Sequence, residues 1–210
     1  MAVLNRLRGL WRQSQGILFS APADDDTADQ VDDYTFRPVT PDHLDKDEIF
    51  AIRGRARRFH SRLGGSHQFL GFVSQENEVV SYVWLSVAEG ASLDVPFRYG
   101  LLIRLCPGQA YIWDCATAAS HQSRGLYRQG LTHARIEAAR RNADQVYIFT
   151  DLDNAASIKG IMAAKFVEQS RITVLRRGPI RGLRVEGETA DYYFGEGRST
   201  QFLKRFNSAT

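Results

Sequence analysis

Two short segments of this chain combine residue types whose spacing could do chemistry. The first is Gln122-Ser123-Arg124-Gly125-Leu126-Tyr127, a polar turn placed between a strand-like run and a helix-like run. A turn that enters a helix leaves backbone N–H groups without acceptors, and the helix dipole adds partial positive charge there. Together they make an anion site. Gly125 permits close backbone approach, and Arg124 and Arg128 add formal charge. The second segment, Asp153-Asn154-Ala155-Ala156-Ser157, follows the apolar run Gln145–Thr150. Asn154 either caps the helix after it or bridges two loops through its amide.

Other reactive side chains are scattered. His60, His67, His121 and His133 fall in separate segments, and Cys106 and Cys115 lack metal-ligand spacing, so no metal site is expected. Two such cysteines read as free thiols of a reducing compartment, and the expected location is the cytoplasm. Cys115 is a small core thiol or, less simply, a nucleophile without a His–Asp frame.

These segments need a scaffold, and the chain is long enough to build one. It has 210 residues, 43% hydrophobic and 24% charged, and its net charge is 27 − 24 = +3. That describes one ordinary folded domain and excludes collagen-like, disordered and disulfide-stapled chains. A +3 excess over this length is too small to point to nucleic acid. No apolar run approaches the roughly 20 residues of a membrane-spanning helix.

The pattern along the chain is β, helix, β, β, β, helix, β, helix, β. Tyr34–Val39 alternates and ends at proline, and Pro41 opens a helix running toward Phe59. His67–Ser74 and Glu78–Val87 form a hairpin. Glu89–Gln109 has no clear pattern. Ala110–Thr117 is a strand, Leu126–Arg141 a helix, Gln145–Thr150 a buried strand, and Asn154 or Asp153 caps a helix through Lys165. Arg171–Leu175 and Leu183–Val185 are final strands. Ahead of these, Met1–Phe19 places Leu4, Leu7, Trp11 and Leu18 near helical spacing, with Arg6, Arg8 and Arg12 between them. It reads as a basic helix packed on the domain, a tail, or a segment lying on an anionic membrane surface or a partner. Asp24–Asp33 reads as an acidic linker. The expected division is 1–33 as basic segment and linker, 34–194 as the domain, and 195–210 as a tail carrying Phe202 and Phe206.

Taken in this order, the two segments resemble the GNAT superfamily of N-acetyltransferases. Gln122 and the Arg124-Gly125 pair stand in its Arg/Gln-x-x-Gly-x-Gly/Ala pattern. Asn154 and Ser157 stand in its Asn-x-x-Ser/Ala pattern, with Lys165-Phe166 where Gly-Phe is usual. The resemblance spans about Tyr34–Arg177. It implies an α+β fold with a mixed, largely antiparallel sheet flanked by helices, and a cofactor splay between its fourth and fifth strands. It implies acetyl-CoA, or another acyl-CoA, as cosubstrate. The pyrophosphate would sit on backbone N–H groups from Ser123 to Arg128, and the pantetheine arm along Ala116, Thr117 and Ala118. The acceptor would be a small-molecule or peptide amine. Two positions depart from the family. Tyr127 stands at the last Gly/Ala position, and Ile161 replaces the tyrosine that many members use as general acid. Water, Ser157 or Tyr127 would then supply the proton, or catalysis is slow, or the protein is a non-catalytic CoA-binding or regulatory module on this fold.

Transfer to an amine needs a proton acceptor. Asp114, near the end of Ala110–Thr117, is the first candidate, and Tyr111 on the same strand is the second. Strand alternation puts Asp114 on the face opposite Trp113 and Cys115. Alternatively, Asp114 pairs with an arginine of the run Arg53–Arg62. Arg55, Arg58 and Arg62 align on one helix face, either as a solvated face or to attract an acidic acceptor or phosphates. Composition and spacing leave the acceptor and the oligomeric state open.

Overall fold

The run Val79–Val87 is buried along its whole length, and the main sheet is laid out around it. The computed structural model describes residues 12–24, 28–29, 31–51, 54–63, 67–98, 101–177, 180–187, 192–194 and 199–200. In chain order the elements are strands β1 (Arg12–Pro22) and β2 (Tyr34–Pro38), helices α1 (Pro41–Lys46) and α2 (Arg55–His60), and strands β3 (His67–Ser74) and β4 (Val79–Val87). Next come β5 (Leu93–Pro96), β6 (Leu102–Leu105), β7 (Gln109–Thr117), helix α3 (Leu126–Arg140), β8 (Gln145–Asp151) and helix α4 (Ala155–Ala163). The chain closes with β9 (Val167–Arg177), β10 (Ile180–Val185), β11 (Tyr192–Phe194) and β12 (Ser199–Thr200).

Among the described residues the main sheet has nine strands in the order β11-β10-β9-β1-β8-β7-β4-β3-β2. Its pairs are antiparallel except β7 and β8, which the α3 crossover makes parallel. The sheet is therefore mixed and largely antiparallel, with helices on both faces, as the resemblance implies. One face packs Phe59, Phe69, Tyr82, Trp84 and Trp113 under α1 and α2. The other packs Val83, Leu85, Ile112, Leu131 and Ile161 against α3 and α4.

Three expectations are corrected. The helix expected over Met1–Phe19 gives way to β1, which lies between β8 and β9 and pairs with both. Ile17 and Phe19 enter one core and Leu18 the other, so both faces are buried. A consecutive apolar run is what such a central strand requires, and it masks alternation. Among the described residues the sheet thus begins at Arg12 and not at Tyr34, and residues 1–11 lie outside them. The acidic stretch is also more than a linker. The Arg135 side chain, almost fully buried, holds Asp24 at 2.8 Å, and the Gln129 amide donates to Asp29 at 2.9 Å. Thirdly, the helix expected from Pro41 to Phe59 is broken. Asp47 is extended because its carboxylate accepts the Val79 N–H at 2.8 Å, and Gly54 is left-handed at φ 75°.

The patternless segment Glu89–Gln109 holds the β5–β6 hairpin, closed by a two-pronged Arg104–Asp94 pair at 2.8 Å. Ser199–Thr200, expected in a tail, pairs in parallel with β6. Phe202 and Phe206 lie outside the described residues. No described helix is long and apolar enough to cross a membrane.

Candidate functional site

The site follows from where β7 and β8 part. Their pairing runs from Gln109/Gln145 to Ile112/Ile148 and stops there, yet β7 continues to Thr117 and β8 to Asp151. On its other side β7 stays bound to β4, with Thr117 opposite Ser81 and Ala116 opposite Tyr82. The Ala118 N–H donates to the Val80 carbonyl at 2.8 Å, and its carbonyl accepts from His121 at 2.9 Å. Ala116 and Thr117 therefore border an opening in the sheet, while Ala118 is engaged by its own chain.

The register changes at this opening. Trp84 faces Trp113 but Tyr82 faces Ala116, so β7 carries one extra residue. Asp114 takes it up at φ 47°, a left-handed conformation unusual for a non-glycine residue. The bulge overturns the simple alternation: Trp113 packs with the α1–α2 face, and Cys115 packs on the α3–α4 face. Burial pushes the Cys115 thiol up, as befits a packed residue rather than a nucleophile.

At one side of the opening lies the turn into α3. Ser123 and Gly125 are both left-handed, at φ 63° and 78°, the kind of backbone from which anion-binding nests of N–H groups are built. Gln129 donates to the Gly125 carbonyl at 3.0 Å, and the first-turn N–H groups before it precede any intrahelical acceptor. A Cβ on Gly125 would meet nothing within 4 Å, so the turn is open. Gln122 ties it to the Thr117 carbonyl at 3.4 Å. Leu126 points its side chain into the core and offers only its backbone here. Beside the turn is a cavity of about 470 Å³ lined by Tyr34, Arg124, Gly125 and Arg128, and by Asp29, Asp32 and Asp33. Arg124 donates to the Tyr34 hydroxyl at 2.9 Å, and Arg128 lies 3.7 Å from Asp29.

Across the opening, Asn154 caps α4 by accepting the Ser157 N–H at 3.1 Å, which decides for the cap. The Tyr127 and Ser157 hydroxyls are hydrogen-bonded at 2.9 Å, and burial pushes the Tyr127 phenol up. A Cβ on Gly160 would overlap the Tyr127 ring at 2.5 Å, so this glycine makes room for the tyrosine. Ile161 is fully buried in the core and donates nothing.

The two base candidates separate. Tyr111 lies in the closed part of β7, opposite Tyr147 and Ser86, where burial pushes its phenol up. Asp114 lies at the opening, partly exposed, with Arg62 Nη1 3.0 Å from its carboxylate.

The sequence did not reveal what surrounds Asp114. Phe69 stacks on Trp84 at 4.4 Å, Trp84 stacks on Trp113 at 5.3 Å, and the Arg62 guanidinium lies over Trp113 at 4.7 Å. The period-two placement of Tyr82, Trp84 and Ser86 against Tyr111 and Trp113 was the available signal. Among the described residues, no group of three or more His, Cys, Asp or Glu is placed to hold a metal.

The profile of the acetyltransferase (GNAT) family matches residues 29–159. Among solved structures, the chain resembles a GCN5-related N-acetyltransferase from Sphaerobacter thermophilus (13% identity, TM-score 0.56, 88% of this chain and 56% of that one). It also resembles a GNAT-family acetyltransferase from Colwellia psychrerythraea (12%, 0.54, 78% and 55%) and a tandem GNAT protein from the clavulanic acid biosynthesis pathway (16%, 0.56, 90% and 59%). The chain spans a little over half the length of these structures. At such identities the likeness is one of fold. A comparison with curated protein sequences finds no significant match.

Proposed function

The chain belongs to the acetyltransferase (GNAT) family, and from that premise we propose that it moves an acetyl, or another acyl, group from acyl-CoA to a primary amine by direct transfer. The observation that carries this reading is the parting of β7 and β8 beyond Ile112/Ile148 beside an open, left-handed turn at Ser123–Gly125.

The residues present suit the cosubstrate. Backbone N–H groups from Ser123 to Arg128 would hold its phosphates, with Arg124 and Arg128 adding positive charge against the negative charge of Asp29, Asp32 and Asp33 in the same cavity. Ala116 and Thr117 border the path for its arm. The bound cosubstrate supplies an acyl thioester. The chain's own groups then do the rest. Asp114 accepts the proton that the amine must lose. Backbone N–H groups at the end of β7 polarise the acyl carbonyl. The Tyr127 phenol, kept protonated by burial and linked to Ser157, delivers a proton to the departing sulfur in place of the residue that Ile161 cannot provide. The location proposed with this activity is the cytoplasm, where an acyl-CoA cosubstrate would be supplied and unpaired cysteines such as Cys106 and Cys115 are usual.

A second reading rests on Ile161 and Tyr127. With Ile161 buried and the Tyr127 ring against Gly160, the protein binds CoA without turnover. Calorimetric titration of acetyl-CoA and CoA into the wild type and Gly125→Trp, followed by an amine panel, separates the two. Binding lost in the variant, with turnover on at least one amine, supports transfer. Binding without turnover on any amine supports the second reading, and no binding to the wild type sinks both.

A further inference from the structure

The column Phe69–Trp84–Trp113 ends in a guanidinium, and that cap is the most informative feature outside the turn. Trp113 is fixed in plane and in angle. Its indole N–H donates to Ser86 Oγ at 2.8 Å, Ser86 Oγ lies 2.8 Å from His67 Nδ1, and the His67 ring meets Trp113 edge-on at 84°. Trp84 covers one face of Trp113. The Arg62 guanidinium also lies over the Trp113 ring, at 4.7 Å, and 3.0 Å from the Asp114 carboxylate. An aromatic face beside a carboxylate is a receptor for an organic cation. Here the cation is the chain's own.

The pair is a replaceable one. It has a single close contact rather than the two-pronged geometry of Arg104–Asp94, and both side chains are a quarter or more exposed. Ion pairs of that kind contribute little. Asp114 is strained at φ 47°, and strain of this sort persists where the surroundings impose it, often at sites of function. On the same face the Tyr82 hydroxyl is buried with no hydrogen-bond partner among the described residues.

We propose that Arg62 is a place-holder for the acceptor: a primary alkylammonium displaces its guanidinium from Asp114 and from the face of Trp113. The acceptor class is therefore an aliphatic amine that arrives as a cation, not an acid drawn to the arginines of α2. Naming this ligand an acceptor rests on the acyl-transfer reading, but its binding does not. Once the ammonium is seated, its nitrogen lies against the carboxylate that takes its proton.

The test is calorimetric titration of n-butylammonium, and of butyrate as its anionic counterpart, with no CoA present. Wild type, Arg62→Ala and Asp114→Asn are compared, each first shown by thermal melting to be folded. Asparagine tolerates the left-handed conformation, so the last variant keeps the bulge. Arg62→Ala is expected to bind butylammonium about fivefold more tightly, the upper range for an exposed ion pair, and Asp114→Asn to lose it. Unchanged or weaker binding to Arg62→Ala overturns the proposal, as does no butylammonium binding to either protein. Butyrate binding that Arg62→Ala loses also overturns it, because Arg62 would then be reading an acid. Amine binding without turnover would count against acyl transfer alone, and turnover with Arg62→Ala indistinguishable from wild type in amine affinity would count against this inference alone.

Discussion

The two ends of the opening between β7 and β8 are built in different ways. The turn into α3 is made of consecutive residues, and its working groups are backbone N–H donors set by the left-handed Ser123 and Gly125. The Asp114 end is made of side chains from separate parts of the chain: Arg62 after α2, Phe69 on β3, Trp84 on β4, and Trp113 and Asp114 on β7. The first end would hold a ligand by geometry that many side chains tolerate. The second would select one by the identity of its side chains. On the acyl-transfer reading, binding of the common cosubstrate and choice of acceptor are therefore separable, and substitutions should divide along that line.

The largest effect expected is at Asp114. Asp114→Asn keeps the bulge but removes both the proton acceptor and the partner of the ammonium, and kcat/KM for the amine should fall by at least about 10²- to 10⁴-fold, the usual contribution of a positioned base alone. The acetyl-CoA titration curve should stay that of the wild type. If Asp114→Asn instead weakened acetyl-CoA binding as Gly125→Trp is expected to, the two ends would not be independent and the comparison would break.

That division also explains what was legible. The Gln122–Tyr127 turn and the Asn154 cap are local, so neighbouring residues carry enough information to identify them. Asp114 was found as a candidate, but its direction was not. Period-two alternation assumes an unbroken ladder, and the extra residue opposite Val83 is set by pairing with β4. The Arg62–Trp113 stack joins residues far apart in sequence and leaves no local signature. β1 was misread for a related reason. Gly16 pairs with Asp151 and Ile172, so the strand is defined by partners at the other end of the chain, and the spacing of Leu4, Leu7 and Trp11 suggested a helix instead.

β1 supplies the next prediction. It joins β8, which borders the opening, to β9–β11, and Leu18 is fully buried within it. Leu18→Ala should cost about 2–5 kcal/mol of stability, as large-to-small changes in cores do. Chemical denaturation would measure the loss. At temperatures where the variant is still folded, acetyl-CoA affinity should be nearly unchanged, because Leu18 packs in the core under α1 and α2 and Leu126 of the turn into α3 packs in another. A basic helix lying outside the sheet would instead tolerate this change with little loss.

The smallest effect lies in pH. Burial lowers the pKa of His67, which packs against Trp113, and Arg62 lowers it further; burial and then Arg140 lower that of His133, on α3. Both are therefore held neutral in the fold. Above the ordinary value of 6.5 neither the folded nor the unfolded chain carries these protons, and their contribution to stability is intact. As pH falls below 6.5 the unfolded chain takes them up first, so stability declines until the lowered folded values are passed. The melting temperature should fall over that window. His67→Gln and His133→Gln should each remove part of the slope. Arg62→Ala distinguishes the two histidines. With the guanidinium gone, the His67 ring signals in an NMR titration should move partway back toward 6.5. The shift is partial because burial is the larger cause, and His133 should not respond. Equal movement of both rings, or none at His67, would mean that Arg62 does not lie where the Trp113 stack places it.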